Sequence, residues 1–321
     1  MKCELYIQNG DKIYAPILEG SIQWDTSRRG SPGKLTFSVV KDEVINFQEG
    51  NPVIFKVDGV NIFYGFVFAK ARDKDQLINV TAYDQIRYLK NKDTFRYDNK
   101  KANELINKIA ADFHLQVGSL ADTGYVIARR IEDNQTLMDI IYTALDLTVI
   151  NTGKLYVLYD DFGKLTLRDV ETMKVPIIVG DETAEDFSYQ TDIDTDTYNR
   201  IKLIQEDKEK EISRSFVLED KSTINQWGVL QYYEVVDEEL NLAQIKAQAD
   251  NLLKVKNRKN RSLELKNCMG DIRVRSGSSV MVALKDVGDV SIQQYLLVEK
   301  CSHVFSNSEH WMTLEVRGNV V

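Results

Sequence analysis

Apolar and polar residues alternate along much of the chain, and one alternating stretch occurs twice. Ile45, Phe47, Gly50, Val53 and Phe55 recur at the same spacing as Ile272, Val274, Gly277, Val280 and Val282. A period of two on each side of a glycine predicts strand, tight turn, strand. The match extends outward. Alternating Leu35, Phe37 and Val39 precede the first copy, and Leu263 and Leu265 precede the second. Dense apolar strands follow, Phe63 to Phe68 and Tyr295 to Val298, and alternating strands close each unit, Leu77 to Tyr83 and Trp311 to Val316. Two distant copies of one β-unit predict a doubled building block; two copies do not make a solenoid.

Between the copies the period changes. Ala102, Leu105, Ile106, Ile109, Ala110 and Phe113 follow helical spacing, with Asp98 or Asn99 placed to cap and Gly118 to terminate. A second helix is predicted from about Gln135 to Leu147, then a hairpin from Leu155 to Leu167 turning at Asp160–Gly163. The predicted fold is mainly β with α+β insertions. It comprises a first β-barrel at 1–95, a small α+β domain at 96–180, and a second β-barrel at 181–321 that includes the strand Arg200 to Ile204. An insertion at about 217–258 interrupts the second barrel. Its helix presents Leu242, Ile245, Ala249, Leu252 and Leu253, with Asp237, Glu238 and Glu239 at the start and Lys254, Lys256, Arg258, Lys259 and Arg261 at and beyond the end.

The 321 residues, 43% hydrophobic and 28% charged, suffice for two or three domains with real cores. A net charge of −8 argues against a general affinity for nucleic acid or an anionic membrane, and no sequence-specific nucleic-acid partner is expected. No signal layout and no membrane span are expected, and three scattered cysteines predict a core built without disulfides.

Candidate chemistry dissolves on inspection. Gly30, Gly33 and Lys34 sit too close together for a phosphate loop, and a strand follows instead of a helix. Asp192, Asp194 and Asp196 open like a calcium loop, but Thr197 and Leu203 stand where Gly and Glu are needed. Asp161, Phe162 and Gly163 spell a kinase tripeptide without its companions. Cys301 and His303 share a strand face, with His310 nearby, but too few partners accompany them for zinc or a nucleophile pair. No Glu sits in an apolar setting suited to general-acid work. No catalytic residue, metal or cofactor is expected.

The strand from Ile62 to Phe68 is apolar on both faces: Ile62, Tyr64, Phe66 and Phe68 on one, Phe63, Gly65 and Val67 on the other. Such strands are covered on both sides, here either by the neighbouring helical domain or by another subunit. Phe63, Gly65, Val67, Tyr295 and Leu297 are the candidate assembly-interface residues.

The whole chain resembles the tail (baseplate) hub proteins of contractile phages and phage-like particles, of the PBSX prophage (XkdQ-like) type. The resemblance rests on the run Pro32 to Phe37, the Gly50 turn with Phe63 to Phe66, the run Lys101 to Phe113 and the Gly277–Val280 turn. Type VI secretion spike-base proteins are similar in architecture. The resemblance implies a homotrimer whose six tail-tube-like barrels form a ring, joining a hexameric tail tube protein to a threefold central spike and other baseplate proteins. It implies a virion or tailocin tail tip, assembled in the bacterial host cytoplasm, without the lysozyme-like or spike domain of larger hubs. A tail-associated peptidoglycan hydrolase, or a β-rich receptor- or glycan-binding module, is the alternative.

Overall fold

Sequence repetition becomes structural repetition at the level of single hydrogen bonds. The computed structural model describes residues 1–321 except 73, 75, 208–211, 239, 288–289, 307–308 and 319–321. Gly50 and Gly277 take φ of 85° and 88°, a region open to glycine and strained for other residues. Gly50 N–H donates to Val67 O (2.7 Å), and Val67 N–H to Asn51 O (2.9 Å); Gly277 N–H donates to Val298 O and Val298 N–H to Ser278 O, both at 2.8 Å. Each long strand then bulges at the same point, between Val67 and Ala69 and between Val298 and Lys300. Val53, Phe55, Val280 and Val282 are all completely buried, as their alternation requires. The copies differ at one edge: Cys3–Asn9 lies antiparallel to Pro52–Val57, whereas Lys174–Gly180 lies parallel to Ser279–Val287.

The fold is mainly β, with 53% strand and 19% helix. The two copies do not form separately closed barrels. Their strands join one open 13-stranded sheet, whose main path runs from Asp186–Asp192 through Asn260–Met269, Glu309–Arg317 and Val290–Ser306. It continues into Leu18–Ser27, Lys34–Val40, Leu77–Tyr83, Val60–Arg72 and Pro52–Val57, ending at Cys3–Asn9 and Lys12–Tyr14. The reason is Val290–Ser306, long enough at 17 residues to pair with three strands. Its first half pairs with Ser279–Val287, and past the bulge Lys300–Phe305 pairs with Ser27–Ile22 of the first unit. Alternation reports which face is buried; it carries no signal for such sharing.

The middle body packs helices α1 (Ala102–Asp112) and α2 (Leu137–Thr152) on a small sheet of Tyr156–Asp160, Leu165–Asp169 and Val117–Leu120. Lys101, not Asp98 or Asn99, is the α1 N-cap; its N–H donates to Glu104 (2.9 Å), while Asn99 takes φ 49°. The helix ends at Phe113, and Gly118 lies in the following strand. Thr136 caps α2 by accepting from Asp139 N–H, and Gly153 at φ 71° ends it.

Arg200–Asp207 belongs to the insertion, not to the second unit: it pairs with Ile212–Glu219 and Gln231–Val236. The segment also contains a short helix α3 (Lys221–Trp227) and α4 (Leu242–Lys256). Ile245, Ala249 and Leu252 of α4 bury Ile201 and Leu203 in a core of their own. Leu242 is 71% exposed at the start of α4, where Asn241 is the cap; Asp237 and Glu238 precede it, and Glu239 lies outside the described residues. Among the described residues no helix is long and apolar enough to cross a membrane.

Candidate assembly interface and the buried junction

The seam between the two copies is a six-pair antiparallel ladder, Lys300 opposite Ser27 through Phe305 opposite Ile22. Phe305 leaves its own unit and is buried in the core of the first, edge-on to Phe55. Beside it, His303 stacks on Trp24 with ring centroids 5.0 Å apart. At the head of the seam Arg28 binds Glu299 through two hydrogen bonds of 2.7 and 2.9 Å, and Tyr142 of α2 donates to Arg28 O (2.9 Å). Arg29 pairs with Asp146 of the same helix, so the middle body grips the seam.

His303 is fully buried, and its polar atoms are matched in series. Nε2–H donates to Val274 O (2.9 Å), which leaves Nδ1 to accept from His310 Nε2–H (2.8 Å). The Cys301 thiol lies 3.0 Å from the same Nε2. Burial holds His303 neutral, its pKa lowered to about 3, and lowers His310 to about 4. Among the described residues no group of three or more His, Cys, Asp or Glu could hold a metal ion.

The three bodies meet around Arg275, just before the second glycine turn. Its guanidinium carbon sits 3.9 Å from the centroid of the Tyr159 ring, and its buried Nε has no hydrogen-bond partner. Asp84 of the first unit and Asp160 of the middle body face the same junction. Asp84 Oδ2 accepts from Gly33 N–H (2.9 Å) and Oδ1 from Ile86 N–H (3.0 Å); Asp160 Oδ1 accepts from Gly163 N–H (2.6 Å). Burial raises Asp84 well above the usual carboxylate range, with repulsion from Asp160 adding to the rise and Arg275 opposing it. Burial likewise lifts Asp160 to about 6, and it depresses Arg275. The sequence reading missed this group: Arg275 occupies the polar slot that Gln48 fills in the first copy, and its surroundings come from two other segments.

Of the expected interface residues, Phe63 and Val67 lie in the core of the first unit, at 3% and 1% exposure. Gly65 is buried too, and a side chain there would collide with the Tyr83 carbonyl. Leu297 packs against Val157, Tyr159, Val170 and Met173 of the same chain. Tyr295 alone remains exposed, at 38%, with Lys174 over its ring. The opposite face of Val60–Arg72 forms an aromatic ladder: Tyr64 meets Phe66 and Phe162 of the middle body, and Phe66 and Phe68 meet Tyr88. The middle body of the same chain therefore covers part of this face. The other motifs are turns, with Asp192 accepting from Asp194 and Thr195 N–H, and Gly163 at φ 84°.

A family model described as YqbQ-like matches residues 22–317. The chain belongs to the YqbQ-like family. The phage-like element PBSX protein XkdQ of Bacillus subtilis (strain 168) is 32% identical over 315 residues, covering 95% of this chain and 94% of its own. In fold, this YqbQ-like chain is similar to the tail protein of Neisseria meningitidis MC58, with TM-score 0.72 and 13% identity over 99% of this chain and 97% of that one. It is also similar to the E. coli c3393 protein, a type VI secretion component described as structurally similar to T4 tail proteins gp27 and gp5. That likeness has TM-score 0.58 and 9% identity over 98% of this chain and 76% of the other. The chain is thus similar in fold to phage tail proteins along its length.

Proposed function

We propose that this chain is a structural tail hub subunit. Three copies form a ring of six related β-units that joins a hexameric tail tube to a threefold central spike. The observation that carries the reading is the repeated glycine turn with its matched hydrogen bonds and matched bulges. A threefold object meets a sixfold one in register when each chain supplies two equivalent faces, and an internal duplication supplies them. The middle body and the inserted layer, each present once per chain, would make the contacts that are threefold only. Tyr295 is the expected interface residue with surface left to give; Phe63, Gly65, Val67 and Leu297 act by shaping the strands behind it. The YqbQ-like chain would work at the tail tip without catalysis of its own, after assembly in the host cytoplasm. Copy number in tail particles, counted by mass or by reconstruction of the tip, tests this. Three copies per particle is the expected result; one or six overturns it. Peptidoglycan zymography decides the alternative, since clearing by the purified chain would make it a hydrolase.

A further inference from the structure

The seam within the chain is a template for a seam between chains. Matching the copies through their glycine turns makes Val67 the counterpart of Val298 and Ala82 the counterpart of Val316, since each pair lies opposite across its ladder. Leu35 then corresponds to Leu263, because they face Ala82 and Val316. Trp24 faces Leu35 and Tyr189 faces Leu263, so Tyr189 corresponds to Trp24. Each half of the internal seam thus has a counterpart: Leu18–Ser27 in Asp186–Asp192, and Lys300–Phe305 in the residues from Ala69 onward.

Among the described residues neither counterpart edge pairs with a further strand. Asp186–Asp192 ends the strand order, and the ladder between Pro52–Val57 and Val60–Arg72 stops at Phe66, short of Ala69–Arg72. Both segments are largely exposed, and an open strand edge is a ready template for pairing.

We propose that Asp186–Asp192 of one copy pairs antiparallel with Ala69–Arg72 of a second copy, with Asp192 opposite Ala69 and Tyr189 opposite Arg72. The inference rests on the ring reading and supplies its contact. Each chain then offers one donor edge and one acceptor edge, a head-to-tail contact that closes into a ring. The side chains fit the role. His303 stacked on Trp24 becomes the Arg72 guanidinium over the Tyr189 ring, a cation–π pair. The Arg28–Glu299 ion pair at the seam head becomes Ile193 against Phe68, an apolar contact. An ion pair in one seam and an apolar pair in the other keep each edge from taking the wrong partner, since a mismatch buries an unpaired charge.

Cysteine pairing tests the register. Arg28 N–H donates directly to Glu299 O, which makes Arg28–Glu299 a hydrogen-bonded pair and Asp25–Ser302 a non-hydrogen-bonded one. The counterpart of Asp25–Ser302 is Gln190 opposite Ala71, with Cα atoms expected about 4.5 Å apart, close enough for a disulfide. Both positions are exposed, so the substitutions leave folding intact. Particles carrying Ala71→Cys with Gln190→Cys, oxidised and run without reductant, should yield a covalent trimer. Either single variant should stay monomeric, and Ala71→Cys with Ser188→Cys, two residues out of register, should link far less. Three copies per particle without the cross-link overturns the edge pairing and leaves the ring. A cross-link with a different copy number retains the edge pairing and overturns the ring. Equal linkage by the Ser188 variant overturns the register.

Discussion

The same substitution in the two copies should have unequal consequences, and the structure gives the size of the gap. Gly50→Ala and Gly277→Ala both force a side chain into a left-handed backbone, at φ 85° and 88°, which costs about 1–2 kcal/mol. A Cβ on Gly50 meets nothing within 4 Å, whereas a Cβ on Gly277 would lie 2.6, 2.9 and 3.0 Å from Cγ1, Cγ2 and Cβ of Val157. Ordinary carbon contacts sit at about 3.5–4.0 Å. Val157 is 1% exposed, wedged among Tyr159, Val170, Met173 and Leu297, so it moves only by repacking the middle body against the second unit. Overpacking of this kind adds about 1–3 kcal/mol. Gly277→Ala should therefore lose about 2–5 kcal/mol and Gly50→Ala about 1–2 kcal/mol, read from denaturant midpoints of the full chain at common slope. Adding Val157→Ala to Gly277→Ala should recover the difference as a coupling of about 1–3 kcal/mol in a double-mutant cycle. Equal losses at the two glycines, or strict additivity with Val157→Ala, would refute the idea that the second turn is clamped by the middle body.

Two further perturbations probe the buried charges. Arg275→Met removes the cation that opposes the rise of Asp84 and Asp160 and should destabilise the chain, most at pH values above about 6 where Asp160 is charged, with the loss recovered when Asp84→Asn and Asp160→Asn are added. Unfolding midpoints that fail to recover overturn the junction. His303 is neutral when folded down to about pH 3 but protonates near 6.5 when unfolded. Its contribution is therefore complete above about pH 6.5 and is lost toward pH 3, by up to about 1.4 kcal/mol per pH unit. Asp160, raised to about 6, acts in the opposite sense, so wild type and His303→Asn are compared at each pH; matching acid slopes overturn the assignment.

What could be read from the sequence follows what side-chain alternation encodes. Gly50 and Gly277 stood out because a left-handed turn leaves a fixed glycine, and Val53, Phe55, Val280 and Val282 because one strand face meets one core. Arg200–Asp207 showed its strand character but not its partners, which lie in Ile212–Glu219 and Gln231–Val236. Phe63, Val67 and Leu297 read as interface candidates from the sequence and pack inside this chain, since an apolar strand does not say whose core it fills. Spacing put Cys301 and His303 on one face; the hairpin return that brings His310 within 2.8 Å is tertiary, as is the convergence of Asp84, Asp160 and Arg275.

The shared strand Val290–Ser306 acts as a splint. Because it lies in ladders on both sides of the seam, the halves of the subunit cannot swing apart like a clam; six backbone pairings would have to shear at once. A push along the sheet is spread over many peptide groups instead of peeling them singly. The two units are therefore held as one stiff body, and flexing in a larger machine built from it would fall to the joints between copies.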